Sequence, residues 1–481
     1  MDLLNKTHVR NLINEIESSQ NKERREKEIK SGEVYSGNLK HHVESRIKQL
    51  YPKTYGSFSV ADLNLSKKIN DKLSKAYKTS PLRELDTEKE DQAYNKLMSD
   101  ADASHAWQTY DLYYNLHRYA CMWFSFVEDS EGEQNIVLRP LSPYQFSRVV
   151  NDIGETTEFI VNFPDDQLFS SSDSDGINSM IQDSEKDSSI KRYALWNAEQ
   201  HVVIKCDPNE ENGDIFFEQI VGNELNVNQL GMIPAVFSQQ GDNIALPTIN
   251  PITSQVIEYN QQYSVMLTGS SLQTFGHLVL KHPAEQPMPD EIYNSLFTYS
   301  RLPQVEGDIA TELDYLNPNP NLTGNLEILS NYGHQIISEH LGDGSQNITG
   351  SDNFTSGLDR MIAMSDITNI IESNQQAYAK AEDGLYQIVK AFSNESNRSS
   401  FSSEKLIVKY SKSKPIQSEK EMLENIEKKI QLGLIEKHEA LMILDPNMTP
   451  EKAREKVDKI KLEKDSEVDS FFEENNANKE E

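Results

Sequence analysis

The chain carries few residue patterns that could do chemistry. It contains no GxxxxGK(S/T) phosphate loop, no GxSxG nucleophile elbow, no HExxH zinc motif and no CxxC pair. The DSDG run at 173–176 resembles part of a calcium loop, but the twelfth position holds Gln182, where such a loop needs a Glu. His334 and His340 are six residues apart, which places them on different faces of a helix. We therefore expect no catalytic residue, no metal site and no cofactor.

Lysines provide the main signal for binding phosphate. They cluster at Lys67, Lys68, Lys72, Lys75 and Lys78, and again at Lys405, Lys409, Lys412 and Lys414. Neither cluster forms a clean basic helix face with interleaved aromatic residues, so the sequence favours two charge-balanced surfaces over two binding patches. The formal net charge of −30, from 47 basic and 77 acidic residues, also argues against a protein that grips nucleic acid over its whole surface.

Composition indicates a polar but folded protein. The 481 residues have a mean hydropathy of −0.65, yet 17 Phe, 20 Tyr and 3 Trp are too many for a wholly disordered chain. The two cysteines, Cys121 and Cys206, exclude a disulfide scaffold and a four-cysteine zinc site. No apolar run reaches the roughly 20 residues of a membrane span, and the N-terminus lacks a signal-peptide pattern. We expect a soluble protein of a reducing cytoplasm.

Hydrophobic spacing divides the chain into helical and β-rich regions. The first 119 residues read as helical, and short apolar runs between turn residues predict an antiparallel β-rich region over 121–238. That region is interrupted by a Ser/Asp-rich insert at 170–189, which we expect to be a mobile surface loop. A Pro-rich segment at 277–320 predicts two strands and a short helix. Further helices are predicted at 254–275, 326–341, 358–392, 419–432, 437–444 and 450–462.

Three stretches carry a resemblance to the portal proteins of tailed bacteriophages. LNLSKKINDKLSKAYKTSPL (63–82) resembles the segment that precedes the wing domain of that family. GMIPAVFSQQGD (231–242), followed by INPITSQVIEYNQQYSVMLTGSS (249–271), resembles the transition from the sheet to the first stem helix. IEKKIQLGLIEKHEALMILDPNMTPEKAREKVDKIKLE (426–463) resembles the C-terminal crown. The resemblance covers roughly residues 40–462 and consists of element order and loose patterns.

The resemblance implies an α+β fold in which a mixed wing domain carries long stem and wing helices, a small α/β clip and a helical crown. The implied segments, flanked by an arm and a tail read from composition, are an N-terminal helical arm (1–40), a wing that is helical and then β-rich (41–250), a stem helix (251–275), the clip (276–321), a second stem helix (322–340), a tunnel loop (341–356), a long wing helix (357–404), the crown (405–462) and an acidic disordered tail (463–481).

The family implies a ring, usually of twelve subunits, at one vertex of the phage head. Such a ring is assembled in the cytoplasm of the host bacterium and becomes part of the virion. It is the conduit for packaging and ejecting double-stranded DNA, which passes through without being recognised by sequence. The implied partners are the major capsid protein, the large terminase subunit, and the head-completion, adaptor and tail proteins, with no membrane contact.

Two sets of residues would face the DNA if the resemblance holds. The tunnel loop would contribute Ser345, Gln346, Asn347, Thr349, Ser351 and Asn353, which are polar and uncharged. Such side chains form transient hydrogen bonds to phosphates without the salt-sensitive ion pairs that would hold a sliding duplex. The alternative for this loop is a hinge between two helices. Lys281, His282 and Arg301 would either form basic rings in the lower channel or balance nearby acids.

Two other functions remain open. One is another oligomeric virion protein without a channel, such as a connector, baseplate or scaffold protein; the other is an enzyme with a dispersed active site.

The net charge of the chain is compatible with a conduit, since roughly twelve copies would sum to about −360 and repel the duplex from the wall. The sequence therefore predicts weak affinity of the isolated protein for DNA.

Overall fold

The computed structural model divides the chain into two compact units. One comprises Met1–Thr349 and Ser365–Lys412, and the other comprises Gly350–Met364 and Ser413–Glu481. Within them the structure describes residues 2–128, 134–163, 191–206, 214–218, 226–240, 250–275, 277–283, 299–304, 312–316, 322–342, 357–395, 401–411, 419–433 and 435–444, with four single residues beyond. The Ser/Asp-rich insert, the tunnel loop from residue 343 onward and the acidic tail lie outside the described residues.

The described residues form a mixture of helix and sheet, which confirms the α+β class. The helices are α1 (Lys6–Ile16), α2 (Ser19–Ser36), α3 (Leu39–Leu50), α4 (Leu65–Leu73), α5 (Glu88–Asp100), α6 (Ala103–His117), α7 (Ile252–Phe275), α8 (Leu322–Leu341), α9 (Gly357–Glu395), α10 (Glu419–Gln431) and α11 (Lys437–Leu444). The strands are β1 (Leu82–Glu84), β2 (Tyr119–Glu128), β3 (Gln134–Leu141), β4 (Phe146–Val150), β5 (Thr156–Phe163), β6 (Lys191–Trp196), β7 (His201–Cys206), β8 (Phe216–Glu218), β9 (Ala235–Gln239), β10 (His277–Pro283), β11 (Tyr299–Gln304), β12 (Glu312–Leu316) and β13 (Ile407–Lys409).

Two antiparallel sheets form the β-rich region, and the predicted antiparallel pairing is confirmed. The strand orders are β3-β2-β9 and β4-β5-β6-β7-β8. Strand β2 is buried on both faces. Its residues Tyr119, Cys121 and Trp123 pack against the five-stranded sheet, and the alternate residues between them join the core that includes α6 and α9. Burial on both faces explains why this strand reads as a continuous apolar run without alternation.

Helix α1 covers the opposite face of the five-stranded sheet. Its stripe of Val9, Leu12, Ile13 and Ile16 lies in one cluster with inward-facing residues of β5, β6 and β7. Two polar contacts anchor its ends: His8 Nε2 lies 2.7 Å from Glu158 Oε1, and Glu17 Oε1 accepts from the Tyr193 hydroxyl at 2.9 Å. The start of the segment predicted as an arm is therefore the outer layer of the sheet.

Several boundaries differ from the predicted pattern. The helical pattern that begins at Leu4 divides into α1 and α2 around Glu17, because the stripe of α1 faces the sheet while α2 continues with almost no apolar stripe. The region 86–119 divides into α5 and α6 around Asp102, which has a left-handed backbone. Strands β4, β6 and β11 were not predicted, since β4 and β6 contain charged residues and β11 contains Pro303.

Helix α9 is the longest element. Its 39 residues extend about 58 Å at 1.5 Å per residue. Tyr378, Leu385, Tyr386 and Val389 belong to the largest apolar core, together with Trp107 of α6. The prediction of one long helix after the Gly-rich segment is confirmed, with bounds slightly wider than the predicted 358–392.

Candidate functional site

Helices α7 and α8 pack as an antiparallel pair, called here the hairpin. Near one end, Gln255 Nε2 donates to Glu339 Oε2 and Gln255 Oε1 lies near His340 Nε2, both at 2.9 Å. One turn further along α7, the ring of Tyr259 lies over Gly333, where a Cβ would sit 3.0 Å from ring atom Cε2. The glycine therefore lets the two helices approach closely at this point.

The end of the hairpin near Gln255 is embedded in a core of its own. The buried members of that core are Val34, Leu39, Val43, Ile47, Leu65, Ile69, Leu73, Ile252, Val256, Ile257, Ile336, Ile337, Leu341 and Ile367. They come from α2, α3, α4, both hairpin helices and α9. This end of the hairpin is therefore packed into the hydrophobic core of its compact unit.

An extended segment, residues 59–63, runs along α7 and is called here the strap. Its alternate backbone N–H groups donate to side chains spaced four apart on the helix. The pairs are Ser59 to Thr268 Oγ1 (3.0 Å), Ala61 to Ser264 Oγ (2.8 Å) and Leu63 to Asn260 Oδ1 (2.7 Å). Four helical residues advance about 6 Å and two extended residues about 6.6 Å, so the two repeats stay in step.

The remainder of the hairpin has a surface with almost no charge. Residues 260–275 of α7 contain no charged residue, and residues 322–338 of α8 contain only Glu327, in a chain of which 26% is charged. Two apolar side chains of α8 are largely exposed, Leu326 at 52% and Ile328 at 68%, while the adjacent Leu329 is buried. Uncharged surface with exposed large apolar side chains is typical of a contact with another protein molecule.

Strands β10, β11 and β12 follow α7 and precede α8 in the chain. Strand β10 is central, with β11 parallel on one side and β12 antiparallel on the other. In this register Lys281 is opposite Glu312, and Arg301 is opposite Leu280. The backbone register therefore places one of the predicted basic residues, Lys281, opposite an acidic residue.

The predicted tunnel loop begins inside α8. Leu341, assigned to the loop from the sequence, is helical and fully buried. Gly342 follows with a φ of 71°, and a Cβ there would lie 2.5 Å from the Cβ of Asp366. Only glycine fits this position, which ends the helix. The predicted DNA-contacting residues Ser345, Gln346, Asn347, Thr349, Ser351 and Asn353 lie outside the described residues.

A buried polar network joins α6, α9 and the start of α7, and the sequence did not predict it. Asp111 Oδ1 accepts from the Tyr378 hydroxyl at 2.7 Å and from Asn115 Nδ2 at 2.8 Å. Asn374 donates to Asn115 Oδ1 at 2.9 Å, and Asn250 donates to the Asn115 carbonyl at 3.0 Å. Burial raises the pKa of Asp111 to about 6, and the donors around it act in the opposite direction.

One histidine lies beside a serine in the buried part of the described structure. His117 Nε2 lies 3.3 Å from Ser142 Oγ, but both side chains are buried, and burial lowers the pKa of His117 to about 3. A neutral imidazole beside a hydroxyl in a sealed core is not reachable by a substrate without opening the fold. Within the described ranges, no group of three or more His, Cys, Asp and Glu side chains is arranged to hold a metal ion.

The sequence matches no model of a known protein family, and no curated protein matches it significantly. Among the helices in the described part of the chain, none combines the length and apolar character needed to span a bilayer.

Proposed function

We propose that the chain is the portal protein of a tailed bacteriophage. In this proposal, about twelve copies form a ring at one capsid vertex, through which double-stranded DNA is packaged and ejected. The ring would dock the terminase large subunit at the clip, and later the head-completion, adaptor and tail proteins, while the wing contacts the major capsid protein. The protein would act as a structural conduit without an active site or a cofactor.

The observation that carries the proposal is the hairpin. Leu326 and Ile328 are two residues apart on α8, so they point about 200° apart around the helix axis. A helix with exposed apolar residues on two opposite sides can contact one neighbour on each side. Subunits of a cyclic ring need this arrangement, because each uses two different surfaces in head-to-tail contacts.

The order of elements gives further support. A layered β-rich region leads into α7, a three-stranded unit follows, and α8 returns along α7 before the chain reaches the 39-residue α9. This order agrees with the wing, stem, clip, stem and wing-helix sequence that the resemblance implies.

Negative-stain electron microscopy of the purified full chain tests the proposal. We expect rings with a central hole. Replacing both apolar residues (Leu326→Glu with Ile328→Glu) should abolish the rings, because it introduces two charges into each contact. The matched control is Ile153→Glu with Phe216→Glu, which changes two side chains that are also largely exposed, one in the turn between β4 and β5 and one in β8.

The outcomes separate the candidate functions. If rings survive the hairpin substitutions and are lost in the control, the interface between subunits does not lie at the hairpin. Oligomers without a channel would favour a connector, baseplate or scaffold protein, and a monomer that turns over a substrate would favour an enzyme. Deletion of residues 343–354 adds a test of the tunnel loop: rings should remain while DNA packaging fails, and loss of rings would make the loop a structural joint.

A further inference from the structure

Five lysines lie on and just after α4, forming what is called here the lysine patch: Lys67, Lys68, Lys72, Lys75 and Lys78. Four of them are exposed and Lys72 is half-buried. The opposite side of α4 is held in the core by Leu65, Ile69 and Leu73. The helix therefore has a fixed orientation that presents its lysines to solvent.

The lysines of the patch form no ion pairs with acids among the described residues. Among the described residues, none of the five ammonium groups lies within 4 Å of a carboxylate. The one acid of α4, Asp71, accepts a hydrogen bond from the Tyr35 hydroxyl at 2.7 Å. The sequence favoured a charge-balanced surface here, and the side-chain positions do not provide the ion pairs that such a balance needs.

The lysines lie close enough to affect one another. Partial burial lowers the pKa of Lys75, the charges of Lys72 and Lys78 lower it further, and the charge of Asp71 acts in the opposite direction. The surrounding chain adds to this local charge. Residues 40–80 contain nine basic and three acidic residues, a net charge of +6, in a protein whose net charge is −30. A concentrated positive surface on an acidic protein is an electrostatic site for an anion.

The composition of the patch favours nucleic acid over an acidic protein as the partner. Protein interfaces are depleted in lysine and enriched in aromatic residues and arginine, and their binding energy comes from apolar anchors. Residues 64–80, all of which the structure describes, contain no arginine and no exposed large apolar side chain. Lysine acts as a point charge toward phosphate and does not read bases as a forked guanidinium does.

We propose that the lysine patch binds the phosphate backbone of double-stranded DNA without sequence preference. The patch lies within residues 67–78 and includes no residue of the predicted tunnel loop. The proposal does not depend on ring formation, so the two can fail independently. Because the remainder of the chain is strongly acidic, the proposal assigns the weak DNA affinity expected from the sequence to the lysine patch alone.

Fluorescence anisotropy with a labelled mixed-sequence duplex of about 30 base pairs tests the proposal on the full chain. If four lysines contact phosphates, the slope of log K against log salt should be near −3.6, and affinity should fall about 10²-fold from 50 to 200 mM salt. The variant with Lys68→Gln, Lys72→Gln, Lys75→Gln and Lys78→Gln should lose that slope and bind at least tenfold more weakly at 50 mM.

The matched control removes the same charge from exposed lysines elsewhere: Lys6→Gln, Lys89→Gln, Lys96→Gln and Lys380→Gln. It should bind like the unmodified protein. Equal loss in the two variants would overturn the proposal, because the effect would then follow total charge. Absence of binding at 50 mM salt would also overturn it. So would tighter binding of a polyglutamate peptide than of the duplex, which would identify an acidic protein as the partner.

Discussion

Asp111 is a buried carboxylate whose donors come from its own helix and from two distant parts of the chain. Its Oδ2 accepts from the backbone N–H of Ala76 at 2.9 Å, and its Oδ1 accepts from Asn115 and Tyr378. A buried charge needs such donors, since an unpaired one would cost several kcal/mol. The residue therefore fixes α6, the chain after α4 and α9 in one arrangement.

The variant Tyr378→Phe tests this role. It removes one donor to an ionised carboxylate, and such hydrogen bonds contribute about 1.5–3 kcal/mol, so we expect a loss of that size in the free energy of unfolding. The matched control is Tyr119→Phe. The Tyr119 hydroxyl is buried and has no hydrogen-bond partner among the described residues, so its removal breaks no hydrogen bond and should not destabilise the protein. Equal effects in urea denaturation would exclude the proposed role.

Glu90 predicts a pH dependence. The hydroxyl of Ser403, followed by the backbone N–H and the hydroxyl of Ser402, lowers the pKa of Glu90 to about 2 from its usual 4.5. A lowered pKa in the folded state means that the group stabilises the fold fully above pH 4.5. That contribution is lost as the pH falls from 4.5 to 2.

We therefore expect Glu90→Gln to melt at a lower temperature than the unmodified protein at pH 7, with the difference disappearing near pH 2. The difference between the two proteins is the useful quantity, because other groups titrate in the same range. Asp111, with its raised pKa, acts in the opposite direction between pH 4 and 6 and cancels in the comparison. Glu88→Gln, which changes an exposed residue in the same turn of α5, is the control and should show no such convergence.

At the level of elements, the contact between α7 and α8 depends on Gly333. Alanine normally stabilises a helix interior by about 0.5–1 kcal/mol relative to glycine. At Gly269 of α7 a Cβ would meet nothing within 4 Å, whereas at Gly333 it would crowd the ring of Tyr259. The two glycines therefore provide a matched pair on the two helices of the hairpin.

We expect Gly269→Ala to raise the free energy of unfolding by about 0.5–1 kcal/mol, because only backbone entropy changes. Gly333→Ala should lose that gain and destabilise the protein, because the ring of Tyr259 or the helix itself must shift. Chemical denaturation of both variants measures the effect. Equal stabilisation by the two alanines would show that the hairpin tolerates a wider separation at this point.

At the scale of the whole molecule, the net charge of −30 opposes any self-assembly. Repulsion between copies is screened as salt rises, since the Debye length falls from about 30 Å at 0.01 M to about 10 Å at 0.1 M. Apolar contacts at the hairpin are much less sensitive to salt. We therefore expect the fraction of protein in rings, measured by sedimentation velocity, to increase between 20 and 200 mM salt. A decrease would mean that ion pairs between subunits hold the ring.

Elements that depend on local residue spacing could be predicted from the sequence, and contacts between distant segments could not. The long helix α9 and both hairpin helices could be predicted because apolar spacing repeats within each of them. The network around Asp111 could not, since Tyr378 is 267 residues away and neither residue belongs to a motif. The strap left one weak signal, the polar residues Asn260, Ser264 and Thr268 four apart on an uncharged helix, which did not reveal what they would bind.

The sequence by itself determined the α+β class, most helix and strand positions and the lack of familiar catalytic motifs, because these depend on local spacing and residue type. Only the tertiary structure decided which side of the five-stranded sheet α1 covers, how β10, β11 and β12 are paired, and that the α4 lysines form no ion pairs among the described residues. Each of these depends on register or on distance between segments far apart in the chain. Such pairings leave no periodic trace in the sequence, since many different partners satisfy the same local pattern.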